Sequence, residues 1–186
     1  MDAPALLAEI ACAFEHVPYP GDLHIVVNND PGYDLESLGI RDSFKAYTWQ
    51  TLPDSLLSFE RGGFHFMSPA GLHYYLPAYL QFCVRDYYEA DTAVDGLITL
   101  FTLPAATDTV PESYWMNEAL RIVRRSITSD ELQDRTERFG VRFRAYSVAQ
   151  SRAILHYLEY MRDEHSRDFW EDEPGVAIRR YWHQFA

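Results

Sequence analysis

FMSPAGLHYYLPAYL, residues Phe66 to Leu80, decides how the rest of the chain is read. Ser68 followed by Pro69 is a helix start: a serine side chain accepts an early backbone amide, and proline suits the first helical position. From there Leu72, Tyr75, Leu76, Tyr79, Leu80, Cys83 and Val84 recur at helical spacing and form one apolar stripe. Pro77 lies inside that stripe, lacks a backbone donor and clashes with the preceding turn, which predicts a kink or restart near Leu76. A bent central helix, apolar on two sides, requires other helices to cover it. The expected fold is therefore mainly α, a single-domain helical bundle over 1–186 with a kinked central helix and minor β content.

The flanking segments are read outward from it. Asp2 and Pro4 open a first helix whose apolar residues run to Phe14 and which ends near His16. Leu23 to Val27 reads as a short strand. Helices are expected from about Asp34 to Tyr47, after Pro53, from Glu112 to Ser126, from Ser129, and from Ser147 to about Glu164. At Ser147 a capping box with Gln150 marks the start. Ala93 to Phe101 fits either a helix or a buried strand, and Arg142 to Tyr146 alternates like a strand.

At 186 residues, with 47% hydrophobic and 15% aromatic residues, the chain has ample material for one core rich in rings. Its net charge of -12 opposes unspecific binding to nucleic acid and to anionic membranes, both polyanions. Cys12 and Cys83 are far apart and sit in apolar helical patterns, which predicts reduced, buried thiols. The first residues carry no basic segment and place Glu9 inside the apolar run, so a cytoplasmic location is expected.

The sequence holds no Walker loop, dinucleotide-binding glycine pattern, Gly-x-Ser-x-Gly elbow or His-Glu-x-x-His motif. His156, Glu159 and Asp163 share a helix face as possible metal ligands, but a solvated face accounts for them as well. His73 with Tyr74, Tyr75 and Tyr79 has the groups of a proton relay, although rings packed in a core with their hydroxyls at its rim are the commoner arrangement. His65, between Phe64 and Phe66, reads as a packing residue. No catalytic residue, metal or cofactor is assigned.

Charge is segmental. From Met1 to Ile40 there are seven acids and no Lys or Arg, whereas arginines gather at Arg121, Arg124, Arg125, Arg135, Arg138, Arg142, Arg144 and Arg152. These fit either an anion site or internal pairing with the interspersed acids, and Lys45 is the sole lysine. The tail sets Phe169 and Trp170 beside Glu171, Asp172 and Glu173 and ends in Tyr181, Trp182 and Phe185. Aromatic anchors ringed by charge suit a protein interface, and they suit a tail folded onto its own core equally.

Four segments together resemble a domain of unknown function found in bacterial proteins of about this length. They are Ala13 to Gly21, Trp49 to Pro53, Phe66 to Leu80, and Ala153 to Met161, with the Ser-Pro start and Tyr-Tyr-Leu-Pro-Ala-Tyr at 74–79 the most specific. The resemblance brings no activity and no catalytic residues. It implies small, cytosolic, acidic proteins, similar in general character to immunity proteins that neutralise bacterial toxins. The arginine-rich section before Ser147 departs from it.

The expected function is thus a non-enzymatic acidic interaction protein, an immunity-type inhibitor masking a basic toxin or other basic protein. Its expected contact residues are Asp30, Asp34, Glu36, Trp170, Glu171, Asp172 and Glu173. The alternatives are a structural or homo-oligomeric scaffold, and a small enzyme centred on His73 or on His156 and Glu159.

Overall fold

In the computed structural model the helix predicted at Ser68 occupies the middle of the molecule. The structure describes residues 1–32, 34–116 and 119–186, and the side chains of 114–116 and 119–121 lie outside that description. In chain order the helices are α1 (Ala3–Phe14), α2 (Leu35–Phe44), α3 (Asp54–Phe59), α4 (Pro69–Arg85), α5 (Tyr87–Ala90) and α6 (Thr92–Phe101). A hairpin of β1 (Thr109–Met116) and β2 (Ala119–Ser126) follows, then α7 (Ser129–Phe143), α8 (Val148–Glu164) and α9 (Glu173–Arg180). The fold is mainly α, with one two-stranded sheet among the described residues.

Helix α4 starts as its sequence dictates: the Ser68 side chain accepts the Gly71 amide at 3.0 Å. It continues as one helix through Pro77 rather than restarting there. It packs against α1, α3, α5, α6 and α7, so both of its sides are buried. Its tyrosines are structural. Tyr75 shares its hydroxyl proton between the carbonyls of Phe44 (3.0 Å) and Tyr47 (3.1 Å), and Tyr79 donates to the Glu60 carbonyl at 2.7 Å. Each hydroxyl thereby adds a second donor to a carbonyl just past or at the C-terminal end of α2 or α3, where Phe44 and Glu60 also accept the amides of Tyr47 and Gly63. Burying each ring contributes about 1.5–3 kcal/mol in addition.

The segment expected as a strand at Leu23 to Val27 is instead a 3-10 turn at Asp22–His24 followed by a single bridge, Val26 to Met67. Two residues pair because α4 begins at once on the other side. Gly71 makes that approach possible, since a Cβ there would sit 2.0 Å from the Ile25 carbonyl oxygen.

The helix expected from Glu112 to Ser126 is the β-hairpin, antiparallel with Val110 opposite Arg125 and Ser113 opposite Ile122. Val110, Ile122 and Val123 are β-branched, and Pro111 tolerates a strand with a free edge, so local preference favours strands. The link at 117–118 lies outside the described residues. Arg142 to Tyr146, read as a strand, completes α7 and turns into α8. Ala93 to Phe101 resolves as helix α6.

Helix α8 runs over the expected residues behind the capping box of Ser147 and Gln150. It packs against α1 on one side and α9 on the other. The end of the chain folds back onto the core: Trp182 is fully buried among Phe101, Phe139 and Phe143 and donates its indole N–H to the Phe101 carbonyl at 2.7 Å. Cys83 is buried, but Cys12, expected inside, is exposed on the outer face of α1. None of the described helices is long and apolar enough to cross a membrane.

Candidate functional site

Among the described residues, two non-glycine positions make sharp left-handed steps, Asp91 (φ 47°) and Asp172 (φ 53°). The first joins α5 to α6 and the second delivers the chain into α9. Asp172 is held by Arg179, 2.7 Å away, and it packs so closely on the helix start that a Cβ at position 175 would meet its carboxylate at 2.1 Å. Gly175 is therefore required for this turn.

Acids distant in sequence lie together beside the first of these steps. A cavity of about 230 Å³ is lined by Tyr87, Tyr88, Asp91, Val94, Asp95 and Asp168. Burial, reinforced by Glu173, Asp91 and Asp168, pushes the Asp95 carboxyl above its ordinary range. The same crowding acts on Tyr87, whose hydroxyl is raised by burial and then by Asp168. His165 stacks flat on Tyr87, ring centres 3.6 Å apart, and closes that side. Arg61 is the cation nearest to Asp91, at 3.7 Å, and its Nε donates to the Glu89 carbonyl.

Two large rings that adjoin these acids in sequence face solvent. Trp170 is 95% exposed and Tyr88 is 86% exposed, whereas Phe169, adjacent to Trp170, is 8% exposed. The tail thus divides its aromatic residues: Phe169 and Trp182 anchor it to the core, and Trp170 faces solvent. Exposed rings near carboxylates attract lysine and arginine side chains through both charge and the ring face.

The structure brings together Trp170, Glu171 and Glu173 from the expected contact set, and turns Asp172 onto Arg179. Asp30, Asp34 and Glu36 are elsewhere. Asp30 accepts the Gly32 amide at 2.8 Å. Asp34 caps α2 by accepting both the amide (2.9 Å) and the hydroxyl (2.5 Å) of Ser37, which hold its carboxyl below the ordinary range. Glu36 is exposed and helps raise Glu60, after burial of the latter. No hydrogen bond or ion pair among the described residues joins these three to the tail. Sequence reasoning missed Tyr88, Asp91 and Asp95, whose only local signal is the run Asp86-Tyr-Tyr-Glu-Ala-Asp91 between two helices.

The other candidates have structural partners. His73 Nε2 donates to the Gln150 side-chain carbonyl at 3.0 Å, the oxygen that also accepts the Ser147 amide, and burial lowers its pKa. His65 lies against Phe64 and is likewise lowered by burial, then by Arg142. His156 pairs with Glu9 at 2.7 Å, linking α8 to α1, while Asp163 pairs with Arg162. Among the described residues no three His, Cys, Asp or Glu side chains converge as a metal site requires. Several arginines are engaged internally: Arg125 makes a two-pronged bond to Glu131, Arg124 bonds Thr109, and Arg138 pairs with Asp134.

A family model described as "Family of unknown function (DUF6714)" matches residues 5–186. No curated protein and no solved structure matches the chain.

Proposed function

The chain belongs to DUF6714, a family of unknown function, and we propose from its geometry that it is a non-enzymatic interaction protein that captures a basic protein partner. The observation that carries this reading is Trp170: a ring 95% exposed, set in the chain between its buried neighbour Phe169 and the acidic run Glu171, Asp172 and Glu173. Leaving so large a ring in water forgoes about 1.5–3 kcal/mol of burial, which a partner recovers. Aromatic anchors of this kind dominate the affinity of protein interfaces, and the surrounding charge speeds the encounter. Net charge of -12 directs the choice of partner toward basic proteins and away from nucleic acid and anionic membrane surfaces.

On this reading the protein acts as an immunity-type inhibitor in the cytoplasm, masking the basic surface of a toxin. Affinity purification of the tagged protein from its source cells at low salt tests it. A basic protein should co-purify with the wild type, elute as ionic strength rises, and be absent when Glu171→Lys and Glu173→Lys are combined. Equal recovery with the charge-reversed protein contradicts the reading.

A further inference from the structure

Opposite in sign to the acidic surface is a second cavity, about 400 Å³, lined by Thr99, Leu100 and Thr102 of the α6 end, by Pro104 and Asp108, and by Arg135, Arg138, Phe139 and Arg142 of α7. The three arginines follow i, i+3, i+7 spacing, so one helix face directs them along about 10 Å. Among the described residues no carboxylate pairs with Arg135 or Arg142, although the neighbouring Arg125, Arg138 and Arg180 all have one. Arg142 is half-buried, and burial followed by the proximity of Arg138 disfavours its charge. A desolvated guanidinium without a counter-charge is costly unless something supplies one.

The acids within reach are already committed. Asp108 is bonded to Arg180 at 2.7 and 3.0 Å and to the Ala105 amide at 2.9 Å. Carbonyls at the end of α6, a region whose dipole repels anions, are also occupied. Thr102 Oγ1 donates to Ile98, Trp182 to Phe101, and Arg180 to Leu103. What remains open in the cavity is cationic.

We infer that Arg135, Arg138 and Arg142 form a binding site for a small phosphate-bearing ligand. A carboxylate offers two oxygens and satisfies one guanidinium fork, whereas a phosphate group offers three or more and is shared among several. A nucleic acid or other long polyanion fits less well, because the adjoining cavity of about 280 Å³ is lined by Glu171 and Glu173. The inference does not rest on the partner proposed for the acidic surface.

Calorimetric titration of the intact protein with inorganic pyrophosphate, at constant low ionic strength, tests the inference. Saturable binding of one equivalent is expected, weakened about tenfold or more in Arg135→Gln and in Arg142→Met. Arg135 and Arg138 are exposed, so Arg135→Gln and Arg138→Gln keep the test valid should Arg142→Met misfold. The exposed Arg167, outside the cavity, serves as control, and Arg167→Gln should bind as the wild type does. The inference is overturned by lack of saturation up to about 10 mM, by an equal loss in Arg167→Gln, or by tighter binding of citrate than of pyrophosphate.

Discussion

The acidic surface around Trp170 and the arginine cavity of α7 meet at one ion pair, Asp108–Arg180, yet they treat their rings in opposite ways. On the acidic side Tyr88 and Trp170 project into solvent; on the basic side Phe139 is buried, and three arginines line the cavity beside Thr99, Thr102 and Asp108. The adjoining cavities share Thr99, Thr102 and Asp108, so a single turn of α6 separates a carboxylate-rich wall from an arginine-rich one. Asp108 and Arg180 neutralise each other where the two would otherwise attract. Opposite charges that could have paired within the fold are held apart, which is why a separate external partner is proposed for each side. Exposed rings suit a macromolecular surface with area to bury; a cation cluster without rings suits a small anion.

The two tryptophans of the tail give the largest contrast. Trp182→Ala removes a fully buried ring and its hydrogen bond, and should cost about 3–5 kcal/mol in denaturant unfolding. Trp170→Ala should change stability by no more than about 0.5 kcal/mol while abolishing partner capture. If Trp170→Ala destabilised as strongly as Trp182→Ala, the distinction between anchor and contact residue would collapse.

Next in size is the ion pair at the boundary. Burial works against the Asp108 carboxylate, but Arg180, the Ala105 amide and, more weakly, Arg135 together hold its pKa below the ordinary range. Arg180→Met should cost about 1.5–3 kcal/mol, because a partly buried carboxylate loses two charge-assisted bonds. Arg180→Met, Asp108→Leu together should recover part of that loss in the same unfolding measurement. A smaller effect is expected at the link between α1 and α8. His156→Ala should cost about 1 kcal/mol or less, since the Glu9 pair is half-exposed, and its contribution should shrink in high salt.

The smallest effect is a pH dependence. Burial lowers the pKa of His65 and His73 in the folded protein, so below about 6.5 the unfolded chain binds more protons than the folded one. Their contribution to stability is present in full above that pH and is lost as pH falls through it toward the folded values. The thermal midpoint should therefore drop between pH 7.5 and 5.5, and less so in a His65→Gln, His73→Gln protein. Asp95 has the opposite sign: burial and the neighbouring acids raise its carboxyl, which favours the fold as pH falls.

Much of the helical frame was legible because its signals are local. Ser68-Pro69 and Ser147 with Gln150 each place a side-chain acceptor within four residues of the amide it caps, and both helices begin there. The hairpin was not legible: its acids and arginines mimic helical spacing, while its strand character rests on pairing across a turn. Cys12 shows the limit of apolar patterning, since Ala-Cys-Ala is apolar on every side and does not say which face is covered. At the acidic surface Trp170, Glu171 and Glu173 were recognisable from aromatic–acid adjacency. Asp91 and Asp95 were not, because they meet Asp168 only across more than seventy residues of chain, and Asp30 and Asp34, which resemble them in sequence, are engaged in a turn and a cap.

The central claim is that the Trp170 surface is covered by a partner in the cell. Oxidative footprinting read by mass spectrometry, comparing the purified protein with the protein inside its source cells, measures this directly. Trp170 and Tyr88 should be modified readily in the purified protein and protected in the cells, with the exposed Phe59 on α3 modified equally in both. Equal modification of Trp170 in the two settings would contradict the account.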